Sequence, residues 1–161
     1  MNGTTEERVR LNTLVMGAAL ALVMAATAQA QTPIEVKLGV LNDRSGLYSD
    51  ITGEGSVVAA KMAVEDFKAA EKGIKATVVA ADHQNKPDVG SSIARQWFDT
   101  DGVDVILDVP TSSVGLAVNQ VVREKNKVYL NVGTGSSDLT GKQCSPNTVH
   151  WMYDTWALTN G

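Results

Sequence analysis

Four short apolar runs alternate with helical patterns between residues 34 and 131, and this alternation limits the possible folds more than any other feature of the chain. Ile34-Glu-Val-Lys-Leu-Gly-Val-Leu41 reads as a first strand. Ser56 to Lys72 reads as a helix, with Ala60, Ala63, Val64 and Phe67 on one face and Gly73 as its stop. Ile74 to Ala81 is a second strand. Pro87 then opens a helix in its tolerated first turn, with Val89, Ile93 and Trp97 along one side. Val103 to Val109, a helix from about Ser112 to Glu124, and Lys127 to Asn131 repeat the unit. Thr148 to Trp151 reads as a short fifth strand, and Asp154 as a further helical start. Repeated β-α-β units with short connections require a parallel sheet covered by helices on both faces, an α/β doubly wound architecture.

Right-handed crossovers place the C-terminal ends of all the strands on one edge, where open sheets of this kind bind ligands. Three loops collect at that edge: 42–55, 110–113 and 132–138, all rich in Ser, Thr, Gly and Asp. The sharpest candidate is the junction from Asp108 to Gly115. A strand ends there, and a helix begins with Val114, Ala117, Val118, Val121 and Val122 at helical spacing. Thr111, Ser112 and Ser113 cluster hydroxyls and free backbone N–H groups at the positive end of the helix dipole, an arrangement that attracts a small carboxylate. The competing explanation is plain helix capping, which Ser and Thr also favour. Thr134 and Ser136 are read as ligand-facing or as loop formers. Tyr48 is read as ligand-facing or as a ring packed over an apolar seam. Trp97 and Phe98 are assigned to helix packing, and Trp151 and Tyr153 to core packing ahead of a place in the cleft.

Residues 1–30 have the pattern of a cleaved signal peptide. Arg8 and Arg10 precede the apolar stretch from Leu14 to Ala26, and Ala28-Gln-Ala30 supplies the small-x-small cleavage site, so Gln31 is the expected first mature residue. With no Leu-x-x-Cys pattern near Ala30, the expected product is soluble in the periplasm. The leader holds two acids and two bases, so the net charge of −4 is unchanged by its removal. That mild acidity opposes a nucleic-acid partner, which would need a basic stripe. Cys144 is the only cysteine, so it is either a free thiol or paired beyond Gly161. His83 and His150 are far apart, and no metal-ligand spacing or cofactor motif is present. Gly135 to Lys142 fails as a P-loop, with five residues between its glycines and Gln143 in place of Ser/Thr. A Gly-x-Ser-x-Gly elbow is missing, which argues against a Ser-based hydrolase. The last helical pattern stops at Gly161 without a closing cap, and the chain reads as the N-terminal part of a larger protein.

The mature segment resembles the branched-chain amino-acid type of periplasmic substrate-binding proteins that serve ABC importers. The resemblance is carried by Lys37-Leu-Gly-Val-Leu41 with Ser45-Gly46, by Gly55 and the helix ending Ala63-Val-Glu-Asp-Phe67, and by Asp82-His-Gln-Asn-Lys-Pro-Asp88. Thr111-Ser-Ser113 and Gly133-Thr-Gly-Ser-Ser-Asp-Leu-Thr140 complete it, in order and at matching spacing. It implies strand order 2-1-3-4-5 and a two-lobed protein closing on one small molecule, with residues 31–161 forming most of lobe one. It further implies permease subunits as membrane partners and no catalysis. Carried onto this chain, the carboxylate contact falls on Ser112, and a second contact region on Gly133, Thr134, Gly135 and Ser136. Gly135 stands where the amino-acid binders keep a hydroxyl, and the stretch from His150 to Tyr153 lacks the expected Arg. An amino acid, an aromatic carboxylate or an amide are the ligand classes left open, with Tyr48, Trp151 and Tyr153 as a possible aromatic wall. A ligand sensor of similar fold and an exported α/β enzyme are the alternative readings.

Overall fold

The computed structural model describes residues 32–161, so the signal peptide assigned to residues 1–30 lies outside the described residues. Its elements follow the alternation of the sequence: β1 (Ile34–Asn42), α1 (Gly53–Asp66), β2 (Ile74–Asp82), α2 (Pro87–Gln96), β3 (Val105–Asp108), α3 (Ser112–Lys125), β4 (Val128–Asn131), β5 (Thr148–His150) and α4 (Thr155–Asn160). The five strands form one sheet in the order β2-β1-β3-β4-β5, and every pairing is parallel. The order reverses between β1 and β3, which makes the crevice beyond their C-terminal ends the natural place for a ligand.

Side-chain alternation sends each strand's residues to two different environments. Leu41, Ile106 and Tyr129 point to the side covered by α2 and α3. There they join Ala94, Trp97, Phe98, Val114, Val118, Val121 and Val122 in the main core. Val36, Leu38, Leu107 and Leu130 point to the other side, where Ala60, Ala63, Val64 and Phe67 of α1 line the same apolar groove. Trp97 and Phe98 are buried, as their helix-packing assignment requires. The α2–α3 contact is close because Gly90 carries no side chain, and a Cβ there would sit 2.5 Å from Val114 Cγ1.

Several boundaries differ from the periodicity: α1 begins at Gly53 instead of Ser56, and β3 at Val105 instead of Val103. The helix expected to reach Lys72 stops at Asp66, because Lys68 adopts a left-handed backbone with φ of 53° and a separate 3₁₀ turn covers Ala69–Lys72. Strand β3 ends at Asp108, because Asp108 and Val109 both have positive φ, 78° and 63°. Apolar spacing reports which face a residue occupies and carries no information on backbone handedness, so neither stop was visible in it. Trp151 lies outside β5, which ends at His150. The last helix starts where expected, with the Asp154 carboxylate accepting from Ala157 N.

Gly39 faces the Trp97 indole so closely that a Cβ would clash with the ring, 2.6 Å from Cε3. Gly39→Ala should therefore destabilise the fold by about 1–3 kcal/mol through overpacking. Combining it with Trp97→Leu should recover part of the loss. Urea melts of the single and double variants test both statements, and an unchanged midpoint for Gly39→Ala would contradict the packing.

Candidate ligand-binding site

Strand register aligns five polar residues along the C-terminal edge. Leu41 of β1 pairs with Asp108, Asp108 with Asn131, and Asn131 with His150, while Asn42 pairs with Asp82. The loops leaving these positions are the three that the sequence placed together, and parallel pairing does bring them to one edge.

The loop after β4 is held by a buried network. Asn131 Oδ1 accepts from Gly133 N at 3.1 Å and Thr134 N at 2.7 Å, and its Nδ2 donates to Thr134 O at 2.7 Å. The same amide lies 3.0 Å from His150 Nδ1, whose other ring nitrogen is 3.1 Å from Tyr153 O. Since the amide group must donate to Nδ1, the second ring nitrogen carries the proton and donates to the Tyr153 carbonyl. The Thr134 hydroxyl donates to Val109 O at 2.5 Å and lies 2.9 Å from Tyr129 Oη, which donates to it. Burial pushes the Tyr129 phenol far up, so it stays a neutral donor.

A second lock joins this loop to α3. A Cβ on Gly115 would overlap the Thr134 hydroxyl, so glycine is required for the helix to approach this closely. Gly133 is equally constrained, because a Cβ there would lie 2.6 Å from Asp108 Oδ1 and 2.7 Å from Pro110 Cα.

The first turn of α3 presents its backbone to the edge. Thr111 occupies the N-cap position, yet its side chain makes no capping bond. Its hydroxyl donates instead to Asn85 Oδ1 at 2.5 Å, tying the β2 loop to the β3 loop. Ser112 is half-buried and Ser113 exposed. The first N–H groups of α3 therefore have no side-chain acceptor, and the helix dipole makes them a place for negative charge. Capping, the competing account of the Thr/Ser cluster, is not what Thr111 does.

The remaining candidates divide by what they touch. Thr134 is fully buried, and its hydroxyl is spent on Val109 and Tyr129, so the expectation that this hydroxyl faces a ligand is corrected. Ser136 accepts from Asp138 N at 3.3 Å and caps a 3₁₀ turn, Ser137–Leu139. Gly135 gives its carbonyl to Thr155 N at 2.7 Å, and a Cβ there would lie 3.4 Å from the Tyr153 ring. Tyr48 is half-buried in the loop after β1, where its N–H and that of Gly46 donate to the Asp43 carboxylate at 2.9 and 2.8 Å. Trp151 and Tyr153 are 77 % and 57 % exposed, which corrects their assignment to core packing. The lone residue before a polar stretch gave no signal of which face it would take. Cys144 is an exposed free thiol among the described residues. No group of three or more His, Cys, Asp or Glu side chains is placed to hold a metal ion among the described residues.

Asn85, Asn131 and Asp43 organise the edge and were not singled out in the sequence. Their signal is faint: each lies within three residues of a strand's end. Charge at the edge is shaped by burial and by donors. Burial pushes the Asp82 carboxyl up, but hydrogen bonds from Ser45 and from the backbone of Arg44 and Gln84 outweigh it and hold the group low. His83 is fully buried beneath the edge, its Nδ1 accepting from Asn85 N at 3.0 Å. Desolvation lowers its pKa, against the opposing pull of Asp43 and Asp82.

The sequence pattern of the periplasmic binding protein family matches residues 35–161, all but the first three of the described residues. This chain belongs to that family. A periplasmic binding protein of known structure from Burkholderia mallei is 49 % identical, with a TM-score of 0.75 over 79 % of this chain and 34 % of its own. A branched-chain amino acid ABC transporter periplasmic ligand-binding protein from Burkholderia xenovorans LB400 is 41 % identical, with a TM-score of 0.71 over 74 % of this chain and 32 % of its own. Leu/Ile/Val-binding protein homolog 8 of Brucella suis is 29 % identical over 136 residues, covering 83 % of this chain and 33 % of the relative. The chain thus spans about a third of the length of the proteins it matches.

Two measurements test this geometry. Thr134→Val keeps the shape but strips the donor to Val109 O and the acceptor for Tyr129, and should cost about 1–3 kcal/mol in a urea melt. His83 stays neutral when folded, while an unfolded histidine takes up a proton near pH 6.5. Its contribution is therefore fully present above that pH and is lost as pH falls through the lowered folded value. Stability measured from about pH 8 down to 5 should drop at the acid end in the parent protein. His83→Gln should flatten that drop, and an undiminished slope would rule His83 out as its source.

Proposed function

We propose that this chain forms a ligand-binding lobe of the periplasmic solute-binding component of an ABC importer, exported by the leader at residues 1–30 and handing its cargo to membrane permease subunits. The observation that carries the reading is the diverted cap of α3. With Thr111 bonded to Asn85, the N–H groups of the first turn and the half-buried Ser112 hydroxyl are left to a small carboxylate at the switch point of a parallel sheet. Ser113, Gly133, Gly135, Ser136 and Tyr48 border the same edge in this reading. Thr134 serves it from beneath, by holding the loop.

The mechanism is capture. A lobe that offers one wall of a pocket gains specificity when a second wall closes over the ligand, and closure draws its energy from tighter binding in the closed state. The names of the relatives support a branched-chain amino acid or related carboxylate as cargo. Gly135 and the exposed ring of Tyr153 supply space and an aromatic surface beside the site, which supports a bulkier or aromatic acid or amide. Sensing without transport would use the same capture step, with a receptor in place of a permease.

Native mass spectrometry of the full-length protein identifies a co-purified small molecule, and calorimetry then measures its affinity for the Ser112→Ala variant. Loss of one charge-assisted hydrogen bond, about 1.5–3 kcal/mol, predicts affinity weaker by roughly one to two orders of magnitude with an unchanged melting curve. Equal affinity in the variant would remove Ser112 from the site.

A further inference from the structure

Trp151, Tyr153 and Trp156 fall close together in the chain, and each is more than half exposed. Single exposed rings are ordinary, but three so close together form a patch of the kind that marks a binding surface. The backbone that carries them is tied to the ligand edge. Trp151 N donates to Asn131 O at 2.9 Å, and Thr155 N to Gly135 O at 2.7 Å. Trp156 N donates to Ser137 Oγ at 2.9 Å, and the Asp154 carboxylate accepts from Ala157 N at 2.8 Å. The segment is ordered by these bonds while its rings stay in solvent.

Tyr153 is held within this latch by a relay. Its carbonyl accepts from His150 Nε2 at 3.1 Å, and His150 Nδ1 accepts from Asn131 Nδ2 at 3.0 Å. Asn131 Oδ1 is also the acceptor for the N–H groups of Gly133 and Thr134. One side chain therefore sets the loop after β4 and, through His150, the backbone of Tyr153. The ring rests against Gly135, where a Cβ would lie 3.4 Å from Cε2 and 3.8 Å from Cδ2. Gly135 follows Thr134, whose hydroxyl fills the Cβ position of Gly115 in the first turn of α3. A continuous run of contacts thus joins the ring to the turn that carries the unspent N–H groups.

The polar groups of the loop after β4 are largely spent on this framework. The Thr134 hydroxyl goes to Val109 O, the Gly135 carbonyl to Thr155 N, and Ser136 Oγ accepts from Asp138 N. What the loop and its latch add to the edge is the Tyr153 ring. We propose that Tyr153 is a specificity-determining residue of the carboxylate site proposed above, on which this inference rests, and that the site takes a carboxylate with a flat aromatic body. His150 is its positioning residue. The negative face and positive edge of an aromatic ring reward a flat aromatic partner, in offset-stacked or edge-to-face contact, beyond what buried area gives. A saturated ring of the same size gains the burial alone.

Calorimetry of the full-length protein with benzoate and with cyclohexanecarboxylate, equal in charge and similar in size, tests this assignment. The parent should bind benzoate roughly two- to tenfold more tightly, the ratio expected of one aromatic contact. Tyr153→Phe should keep that preference and Tyr153→Leu should abolish it, with both variants melting as the parent does. His150→Ala should reduce the preference, and His150→Gln, whose amide can again donate to the Tyr153 carbonyl, should restore part of it. Equal weakening of both acids in His150→Ala would show a merely structural histidine and remove it from the positioning role. No preference in the parent, or a preference that survives Tyr153→Leu, would overturn the inference and leave the carboxylate site standing. Failure of the parent to bind either acid would overturn that site and this inference with it.

Discussion

The Thr134 hydroxyl lies where residue 115 would otherwise carry a Cβ, and the shape of the whole sheet edge depends on that contact. Its proton goes to Val109 O, and it receives one from Tyr129. A single buried hydroxyl therefore joins the β3 turn, the first turn of α3 and the loop after β4. In a low-dielectric interior such linked bonds are strong when complete and costly when broken. The loop contributes its fixed backbone to the site, while its threonine side chain is consumed in holding it there.

From this lock follows the character of the edge. The N-terminus of α3 cannot shift relative to Gly133 and Gly135 without separating Gly115 from Thr134. Asn131 repeats the device one layer out, holding both N–H groups of the loop and meeting His150 on the neighbouring strand. Asn85 draws Thr111 away from its capping role, so the part of the edge with the most positive backbone potential is also the part left open. Rigidity beneath and unspent donors above are what a capture surface needs, since a preorganised site loses less entropy on binding.

Much of this was legible in the sequence. Strand–helix alternation dictated a parallel sheet, and Trp97 with Val114, Val118, Val121 and Val122 appear in the core as their spacing required, whereas Ile93 only packs against it and Val89 and Ala117 are half-buried outside it. The convergence of the three polar loops followed from crossover handedness alone. Less legible were the residues whose role depends on partners distant in sequence. Thr134 reads as one more hydroxyl in a Ser/Thr-rich loop, and its burial is decided by Gly115, 19 positions earlier. Trp151 and Tyr153 read as core on hydrophobicity, yet β5 ends before them and both face outward.

The sequence by itself determined the fold class, the order of elements and the edge at which the polar loops gather, because these depend on periodicity, turn residues and the handedness of L-amino acids. Only the tertiary structure decided which polar side chains hold the edge together and which face outward. Hydrogen-bond partners are set by strand register and by close approach at Gly115 and Gly133, distances that no local pattern encodes.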